Sequence, residues 1–272
     1  MPLLPLSPQV FAILSSLVTE HCGLSFDATH MSVFAEKIAA RAAEQGYESL
    51  LDYYYYLRYD PGGPDELTAL IETLVVGETY FFRELAPLQT IVSEELLPPV
   101  NQGRRPRVWC AACATGEEPL TLAMLLASRG LLDDVEIVAS DINGAALERA
   151  RSGVHSKRAL RQEVPAFADR WIRSTAGGIE VQPRLRQSIS WRRINLIDDA
   201  AVAALGTFDV VLCRNVLIYF NDETARAVID RLTARLVPGG VLLVGISESL
   251  LRFGGPLICE EKAGVFLYRR PA

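Results

Sequence analysis

The sequence predicts an α/β fold in which a doubly wound, mostly parallel sheet follows an N-terminal all-helical domain and carries a small inserted subdomain. After residue 107, strand-sized apolar runs alternate with amphipathic segments, the pattern of a parallel sheet with helices on both faces. Before about residue 80, apolar residues recur only at helical spacing. We therefore expect domains at 1–80 and 108–272, joined by a linker with a connecting helix at 81–107.

Composition limits the class of protein. Half of the 272 residues are hydrophobic, enough for a sizeable core. No apolar run approaches the ~18 residues of a membrane helix, and the N-terminus lacks the basic flank of a signal peptide. Five cysteines at scattered spacings fit a reducing compartment. The expectation is a cytoplasmic monomer that is not embedded in a membrane.

Charge is distributed unevenly. The net charge of −6 argues against general nucleic-acid affinity. Residues 149–193, however, carry eleven Lys or Arg against three acids, a local charge of +8 that leaves −14 for the rest. This basic segment is either a solvated surface or the face for an acidic partner.

The N-terminal domain is predicted to hold four helices, at about 8–23, 31–45, 48–59 and 65–75, with a turn at 61–64. The run of tyrosines from Tyr53 to Tyr56 is more typical of core and interface than of a ligand site. Segment 77–84 breaks the helical pattern: Phe81 and Phe82 anchor it, while Thr79 and Arg83 remain available. A further helix at 85–97 is expected to end at Pro98 and Pro99.

The second domain alternates regularly except in one place. The first strand is predicted to begin at residue 108, and further strands are predicted at 135–140, 189–196, 208–213 and 241–245. Helices are predicted at 120–128, 144–153 and 223–236. A turn at 238–240 and a terminal hairpin complete the predicted domain. The inserted subdomain, at about 154–190, is expected to contain a helix near 165–172, a Gly177-Gly178 turn and strands near 179–181 and 188–191.

A strand, a loop of small residues and a helix follow one another from Val108 to Ser128, the order typical of nucleotide-type cofactor binding. Small side chains let the backbone approach a ligand, and a helix N-terminus presents free N–H groups. The second strand ends at Asp141, where a carboxylate is placed to accept hydrogen bonds from ribose hydroxyls. Together these features predict a ribose-bearing cofactor.

The loop suits a cofactor without phosphates. A dinucleotide site prefers Gly-x-Gly-x-x-Gly, whereas the corresponding small residues here are Ala112, Ala114 and Gly116, and no basic residue follows closely. This points to S-adenosylmethionine, with Glu117 or Glu118 placed for its cationic methionine end. The two glutamates equally fit acids that compensate a helix dipole.

Cys110-x-x-Cys113 resembles a redox or zinc half-site, but no second cysteine pair follows it. Its residues lie where a loop that approaches a ligand is needed. We therefore expect no metal.

Several tracts resemble the chemotaxis receptor methyltransferases of CheR type, in order and over nearly the whole chain. They are residues 78–84 (Glu-Thr-Tyr-Phe-Phe-Arg-Glu), 114–119 (Ala-Thr-Gly-Glu-Glu-Pro), 139–142 (Ala-Ser-Asp-Ile), 194–196 (Ile-Asn-Leu), 213–220 (Cys-Arg-Asn-Val-Leu-Ile-Tyr-Phe), 238–240, Gly245 and 247–249 (Ser-Glu-Ser). The resemblance implies a class I methyltransferase fold and transfer of methyl from S-adenosylmethionine to receptor glutamates, giving glutamyl methyl esters and S-adenosylhomocysteine. The implied partner is the cytoplasmic helical region of methyl-accepting chemoreceptors.

The resemblance also implies roles for individual residues. Arg83 and Tyr219 would flank the methyl-transfer site, and Asp141 would hold the ribose. The expected cofactor-binding set is Gly77, Thr79, Arg83, Glu117, Asp141, Asn195, Leu196, Arg214 and Asn215.

Two departures from the family pattern stand out. Gly77 occupies a position where many members have Asn, so one polar cofactor contact is in doubt. The second helix has only Lys37 and Arg41 as bases, fewer than in members that dock strongly on receptor helices.

The reaction requires little of the protein's acid–base groups. A glutamate with a pKa of about 4.3 is already ionised at neutral pH, and none of His21, His30 and His155 is a convincing general base. The sequence leaves two alternatives: a non-catalytic module that binds S-adenosylmethionine or S-adenosylhomocysteine and signals, and a nucleic-acid methyltransferase. The second is disfavoured by the acidic net charge and by Asn215-Val216-Leu217, which lacks the prolines of base-amino methylation motifs.

Overall fold

The computed structural model describes residues 4–272, which divide into two compact units. One comprises the described chain up to Val76 together with Tyr219–Thr224, and the other comprises Gly77–Ile218 and Ala225–Ala272. The first is helical, and the second is built on a sheet. No helix among the described residues has the length and apolarity needed to cross a bilayer.

Four helices form the helical unit, as predicted: α1 (Pro8–Cys22), α2 (Met31–Glu44), α3 (Leu50–Tyr59) and α4 (Gly63–Leu74). Ser7 starts α1 by accepting a hydrogen bond from the Val10 amide, and Gly23 ends it in a left-handed conformation, φ 80°. The turn expected at 61–64 is shorter than predicted, because α4 already begins at Gly63. Pro64 is tolerated in this first turn, where no N–H partner is needed.

Both bases of α2 are engaged within the helical unit. Arg41 donates to the two carboxylate oxygens of Glu66 at 2.7 and 2.5 Å, and the Tyr53 hydroxyl donates to Oε1 of the same glutamate at 2.6 Å. Lys37 Nζ donates to the carbonyl of Thr73 at 2.8 Å, near the end of α4. Tyr53 is thus a core residue, as its run predicted, and these two cations serve helix packing.

The sheet unit holds ten strands in its described residues: β1 (Arg107–Ala111), β2 (Glu136–Asp141), β3 (Val154–His155), β4 (Ile172–Thr175), β5 (Gly178–Val181), β6 (Ile189–Arg193), β7 (Phe208–Cys213), β8 (Leu236–Val244), β9 (Ile258–Lys262) and β10 (Val265–Arg269). Seven form one sheet in the order β6-β2-β1-β7-β8-β10-β9. The first five in that order are parallel, and β10 runs antiparallel to both β8 and β9. The predicted doubly wound, mostly parallel sheet is confirmed.

The remaining helices are α5 (Leu85–Thr90), α6 (Leu97–Asn101), α7 (Glu117–Ser128), α8 (Gly144–Ser152), α9 (Pro183–Gln187), α10 (Asp199–Ala203) and α11 (Asp222–Ala234). The core lies between the sheet and these helices. It includes Val108, Leu122, Ile137, Val210 and Leu243, all at most 2% exposed.

The predicted helix near 165–172 is wrong. The region contains only a 3₁₀ turn at Asp169–Trp171, and β4 begins at Ile172. Strands β3, β5 and β4 make a separate antiparallel sheet in which Ile172 pairs with Val181. Ile172 is β-branched and starts a strand because the fold provides a strand for it to pair with. The helical spacing of nearby apolar residues contains no information about that partner.

Two predicted breaks at proline do not occur. The connecting helix continues past Pro98 and Pro99 because a π-helical stretch, Ile91–Leu96, precedes α6 and places both prolines in its first turn. The expected turn at 238–240 lies inside β8, whose pairing with β7 shifts register between Phe208 and Val210. A bulge absorbs the irregular residues without ending the strand.

Candidate cofactor site and active site

The carboxyl ends of the five parallel strands gather most of the predicted site residues at one edge of the sheet. Among residues 4–272, six acidic, basic or histidine side chains are buried, and five of them, Glu117, Asp141, His155, Arg214 and Glu248, belong to the sheet unit. Burying ionisable groups costs free energy unless each is paired. Such a concentration beside the strand ends marks a candidate functional site.

The loop after β1 is shaped by left-handed residues. Ala112, Ala114 and Gly116 have φ values of 54°, 47° and 89°, and for a residue with a Cβ this conformation costs roughly 1–2 kcal/mol. A Cβ on Gly116 would lie 2.7 Å from the Cβ of Ala150 and 2.9 Å from the Trp191 ring. Glycine is therefore required for helix packing here, while the two alanines keep the loop surface small.

Asp141 ties this loop to the next strand. Its Oδ2 accepts a hydrogen bond from the Ala114 amide at 2.7 Å, and its Oδ1 accepts one from the Asn143 amide at 2.8 Å. Its backbone carbonyl accepts from the Ile194 amide at 3.0 Å, which brings the segment containing Asn195 and Leu196 alongside. The predicted ribose acceptor, the last residue of β2, therefore also organises the loop after β1.

Asn195 and Leu196 follow the end of β6. Asn195 Oδ1 accepts from the Ile197 amide at 3.2 Å, and the side chain of Leu196 is buried. They supply one polar and one apolar group next to Asp141.

Glu117 is the buried one of the two loop glutamates. Its carboxylate oxygens accept from the Thr115 hydroxyl at 2.9 and 2.7 Å, and Oε1 lies 2.9 Å from His155 Nδ1. The Phe81 ring packs edge-on against His155 at 4.9 Å between centroids. His155 Nε2 is buried and has no hydrogen-bond partner among the described residues.

Arg214 lies between two carboxylates. Its Nη1 donates to Glu118 at 2.9 Å, and its Nη2 donates to Glu84 at 2.8 Å and to the carbonyl of Arg83 at 3.0 Å. Burial works against the charged guanidinium, but Glu118 and Glu84 raise the pKa of Arg214 above its ordinary value. Arg214 therefore stays charged and fixes the backbone of the connecting segment at the end of β7.

Arg83 is presented by an unusual backbone. Phe82 and Glu84 on either side of it are left-handed, with φ values of 64° and 47°. The Phe82 amide donates to Thr121 Oγ1 at 3.2 Å, which anchors the segment on α7. Residues held in sparsely populated conformations concentrate at functional sites, where surrounding contacts hold them.

The Arg83 side chain is half-buried, and its guanidinium lies 5.6 Å from the centre of the Tyr80 ring. The guanidinium of Arg161 lies 4.4 Å from the same ring and pairs with Glu78 at 2.8 Å. Gly77 is exposed, and a Cβ there would meet nothing within 4 Å. The local structure therefore has room for the larger residue common in the family.

Asn215 is the left-handed residue that follows Arg214, with φ 60°. Its amide donates to Glu248 Oε2 at 2.6 Å, and the next amide, of Val216, donates to Glu248 Oε1 at 2.8 Å. The Gly245 amide donates to Oε2 at 2.8 Å. One buried carboxylate thus holds the loop after β7 and the loop after β8 together.

Tyr219 groups with the helical unit, whereas the other predicted site residues belong to the sheet unit. It ends a 3₁₀ turn, Leu217–Tyr219, and its carbonyl accepts from the Ser25 amide at 2.9 Å. Phe220 forms a bridge with Leu24. Six of the predicted residues lie at the carboxyl edge of the parallel strands: Asp141, Asn195, Leu196, Glu117, Arg214 and Asn215. Arg83 is linked to this edge because its carbonyl accepts a hydrogen bond from Arg214. Gly77 and Thr79 lie in the connecting segment.

Cys110 and Cys113 are buried free thiols. Burial raises the pKa of each well above its ordinary value. Redox and metal-binding cysteines act as thiolates, so this environment does not favour either role.

Sequence reasoning missed four contributors: Glu84, Thr115, His155 and Glu248. Glu84 and Glu248 both stand inside tracts that carry the family resemblance. Glu84 pairs with Arg214, which is 130 positions later in the chain, so no local pattern reveals the pair. Glu248 binds backbone amides, which leave no trace in the residue types. His155 pairs with a glutamate 38 positions earlier. A threonine two residues before a buried acid was the one local clue.

The donor set fits S-adenosylmethionine. An acid stands at the end of β2 for the ribose, and the loop after β1 has small residues and no cation for phosphates. The buried carboxylate of Glu117 lies in the first turn of α7 for a positive group. Asn195 follows β6 and Asn215 follows β7, so their side-chain amides stand on opposite sides of β1 in the order of the sheet.

Comparisons with known proteins show which family the chain resembles. The family model described as "CheR methyltransferase, SAM binding domain" matches residues 77–261, and "CheR methyltransferase, all-alpha domain" matches residues 9–75. The chain is 35% identical to chemotaxis protein methyltransferase 2 of Vibrio cholerae, over 85% of this chain and 82% of that protein. It is 31% identical to chemotaxis protein methyltransferase 1 of Pseudomonas aeruginosa, over 88% and 90%.

A third relative has a name that points to a different process. The chain is 36% identical to the probable biofilm formation methyltransferase WspC of Pseudomonas aeruginosa, over 72% of this chain and 47% of that protein. With the two family models together spanning most of the sequence, the chain belongs to the CheR methyltransferase family and is an S-adenosylmethionine-dependent methyltransferase.

Proposed function

We propose that this chain transfers a methyl group to glutamate carboxylates of methyl-accepting chemoreceptors and so forms glutamyl methyl esters. The observation that carries the proposal is the match of both parts of the chain to the CheR family, with relatives named chemotaxis protein methyltransferases. The buried carboxylates of Glu117 and Asp141 at the strand edge, which suit the cationic and ribose parts of S-adenosylmethionine, support it.

The chemistry needs positioning more than proton transfer. A glutamate with a pKa of about 4.3 is ionised at neutral pH and is itself the nucleophile. S-adenosylmethionine supplies an electrophilic methyl group on a sulfonium. The carboxylate oxygen forms a bond to the methyl carbon as the carbon–sulfur bond breaks, leaving S-adenosylhomocysteine. Well-oriented reactions of this kind gain up to ~7–11 kcal/mol from positioning.

Each proposed binding residue has a chemical task. Asp141 accepts hydrogen bonds from the ribose, and Asn195, Leu196 and Asn215 line the adenine and methionine sides. The contacts of Glu117 and Glu118 favour Glu117 for the ammonium, since Glu118 is paired with Arg214. Gly77 and Thr79 contribute from the connecting segment, and Arg214 acts mainly by fixing the backbone at Arg83.

Two residues are proposed to handle the substrate. Arg83 orients the glutamate carboxylate and also contacts the cofactor. A tight bidentate pair would blunt the nucleophile, so we propose that the Tyr219 hydroxyl shares this carboxylate.

The proposal implies a cytoplasmic monomer that acts on the cytoplasmic helical region of the receptors. The 36% identity to a WspC protein makes a chemosensory pathway other than motility the second candidate.

Transfer of labelled methyl from S-adenosylmethionine to purified cytoplasmic receptor fragments tests the proposal. Label is expected on receptor and not on duplex DNA or ribosomal RNA assayed in parallel. Binding of S-adenosylhomocysteine without turnover on any receptor of the source organism would favour the non-catalytic signalling module. Label on nucleic acid alone would contradict the proposed substrate class.

A further inference from the structure

The loops that follow β7 and β8 are joined by the carboxylate of Glu248. Glu248 is 8% exposed, and its carboxylate accepts hydrogen bonds from three backbone amides: Asn215 at 2.6 Å, Val216 at 2.8 Å and Gly245 at 2.8 Å. The Glu248 amide in turn donates to the Gly245 carbonyl at 2.8 Å. A carboxylate is suited to this task because it only accepts, and each oxygen has two lone pairs.

Gly245 completes the arrangement by lacking a side chain. A Cβ at this position would lie 2.6 Å from Asn215 Nδ2 and 2.9 Å from Glu248 Oε2. The Asn215 side chain therefore packs directly over the Gly245 backbone. Its own backbone is left-handed, φ 60°, a conformation that asparagine adopts more readily than most residues with a Cβ.

We propose that Glu248 is a positioning residue for the cofactor contact made by Asn215. This inference rests on the proposed function, in which Asn215 lines the cofactor. Glu248 does not touch cofactor or substrate; it fixes the Asn215–Val216 peptide, and with it the direction of the Asn215 amide. Val216 is followed directly in the chain by the 3₁₀ turn Leu217–Tyr219.

Glu248→Gln tests the proposal with the smallest change. One carboxylate oxygen becomes an NH₂ group that faces N–H donors, so at least one backbone bond is replaced by a repulsive contact. The affinity for S-adenosylhomocysteine, measured by calorimetry, is expected to fall about 10-fold, the factor that loss of one charge-assisted hydrogen bond produces. The kcat for methyl transfer at saturating cofactor is expected to fall as well.

Matched controls separate positioning from stability. Glu261→Gln makes the same chemical change at an exposed glutamate of β9. Glu95→Gln removes a carboxylate that accepts from Lys262 and Arg269 elsewhere in the sheet unit, and so destabilises without touching the strand edge. Both folded controls are expected to bind S-adenosylhomocysteine with wild-type affinity.

A double-mutant cycle supplies a readout that a merely structural role would not move. If Glu248 acts through Asn215, Glu248→Gln combined with Asn215→Ala weakens cofactor binding by less than the product of the two single effects. Independent losses that multiply would show that Glu248 supports only general stability. Wild-type affinity in Glu248→Gln would overturn the proposal directly.

Gly245→Ala keeps the test decisive should Glu248→Gln fail to fold. The new methyl group would crowd both Asn215 Nδ2 and Glu248 Oε2, so both side chains must shift and affinity is expected to fall by a similar factor. Wild-type affinity and kcat in this variant would contradict the proposal. Failure of the wild-type protein to bind S-adenosylhomocysteine or transfer methyl would instead remove the proposed function, and the inference with it.

Discussion

Asp141 serves both the loop and the proposed ribose contact. Its carboxylate accepts from the Ala114 and Asn143 amides at 2.7 and 2.8 Å. Asp141→Ala is expected to weaken S-adenosylhomocysteine binding by about 1.5–3 kcal/mol, roughly 10- to 150-fold. Calorimetry on the folded variant measures this, with Asp230→Ala on the exposed face of α11 as the control. An unchanged affinity would remove Asp141 from the site.

Tyr219 and Arg83 are expected to separate catalysis from binding. Tyr219→Phe removes only a hydroxyl, so methyl transfer should fall while the affinity for S-adenosylhomocysteine stays close to wild type. Arg83→Ala should impair both, because this side chain is assigned to cofactor and substrate. Steady-state rates and calorimetry on the same preparations make the comparison. Equal, mild effects of the two changes on turnover would show that neither residue orients the carboxylate.

At the scale of elements, Glu95 joins the π-helical stretch Ile91–Leu96 to the β9–β10 hairpin. Burial alone would raise the pKa of Glu95, but hydrogen bonds from Arg269 and Lys262 and their charges lower it overall. A carboxyl group whose pKa is lower in the folded state stabilises the protein above its unfolded pKa of about 4.3, and this contribution is lost as pH falls through the folded value.

Glu95→Gln should therefore cost about 1.5 kcal/mol of unfolding free energy near pH 7, and the difference from wild type should shrink as the pH drops below about 4.3. Urea unfolding of both proteins at several pH values measures the difference. A gap that stays constant or widens toward low pH would mean that Glu95 is not ionised and paired in the folded state.

How far an element could be predicted depended on whether its signal was local. Helix α1, capped by Ser7 and Gly23, and the apolar strand β7 follow directly from residue pattern. The continuous strand β8 and the helix through Pro98 could not be predicted in this way. The register shift in β8 and the π-helical stretch before Pro98 depend on packing against neighbouring elements. Proline and glycine report that a break is possible, and packing decides whether it occurs.

The candidate site shows the same division. Asp141 and the small loop residues could be placed from the sequence, since their roles depend on position at a strand end. Glu248 and His155 could not, because each acts through a partner that no spacing rule connects to it. The roles of Arg83 and Tyr219 toward cofactor and substrate rest only on the family resemblance and remain proposals.

On the scale of the whole molecule, charge separates a basic segment from an otherwise acidic chain. Receptor regions rich in glutamate are acidic, so docking needs a positive face. Within residues 149–193, Arg186 is half-buried and donates to the Arg151 carbonyl at 3.0 Å, which makes it a structural residue. Lys157 and Arg158, in the turn Lys157–Ala159, are exposed and better suited to testing docking.

Reversing both charges, Lys157→Glu with Arg158→Glu, is expected to raise the KM for receptor several-fold and to reduce its dependence on salt. Exposed charges act mainly on encounter, and a Debye length near 8 Å at physiological salt limits each one. The effect should be clearest below ~50 mM salt, where screening is weakest. Cofactor affinity should not change. Wild-type receptor methylation at low salt would leave the basic segment as a solvated surface.

The chemical identity of the product tests the central claim most directly. Receptor fragments incubated with this protein and S-adenosylmethionine, then digested and mapped by mass spectrometry, should carry the added methyl group on glutamate side chains. Mild alkali should release it as methanol, as expected for an ester. A methyl group that survives alkali or lies on another residue type, or unmodified receptor despite S-adenosylhomocysteine binding by the folded protein, would contradict the account.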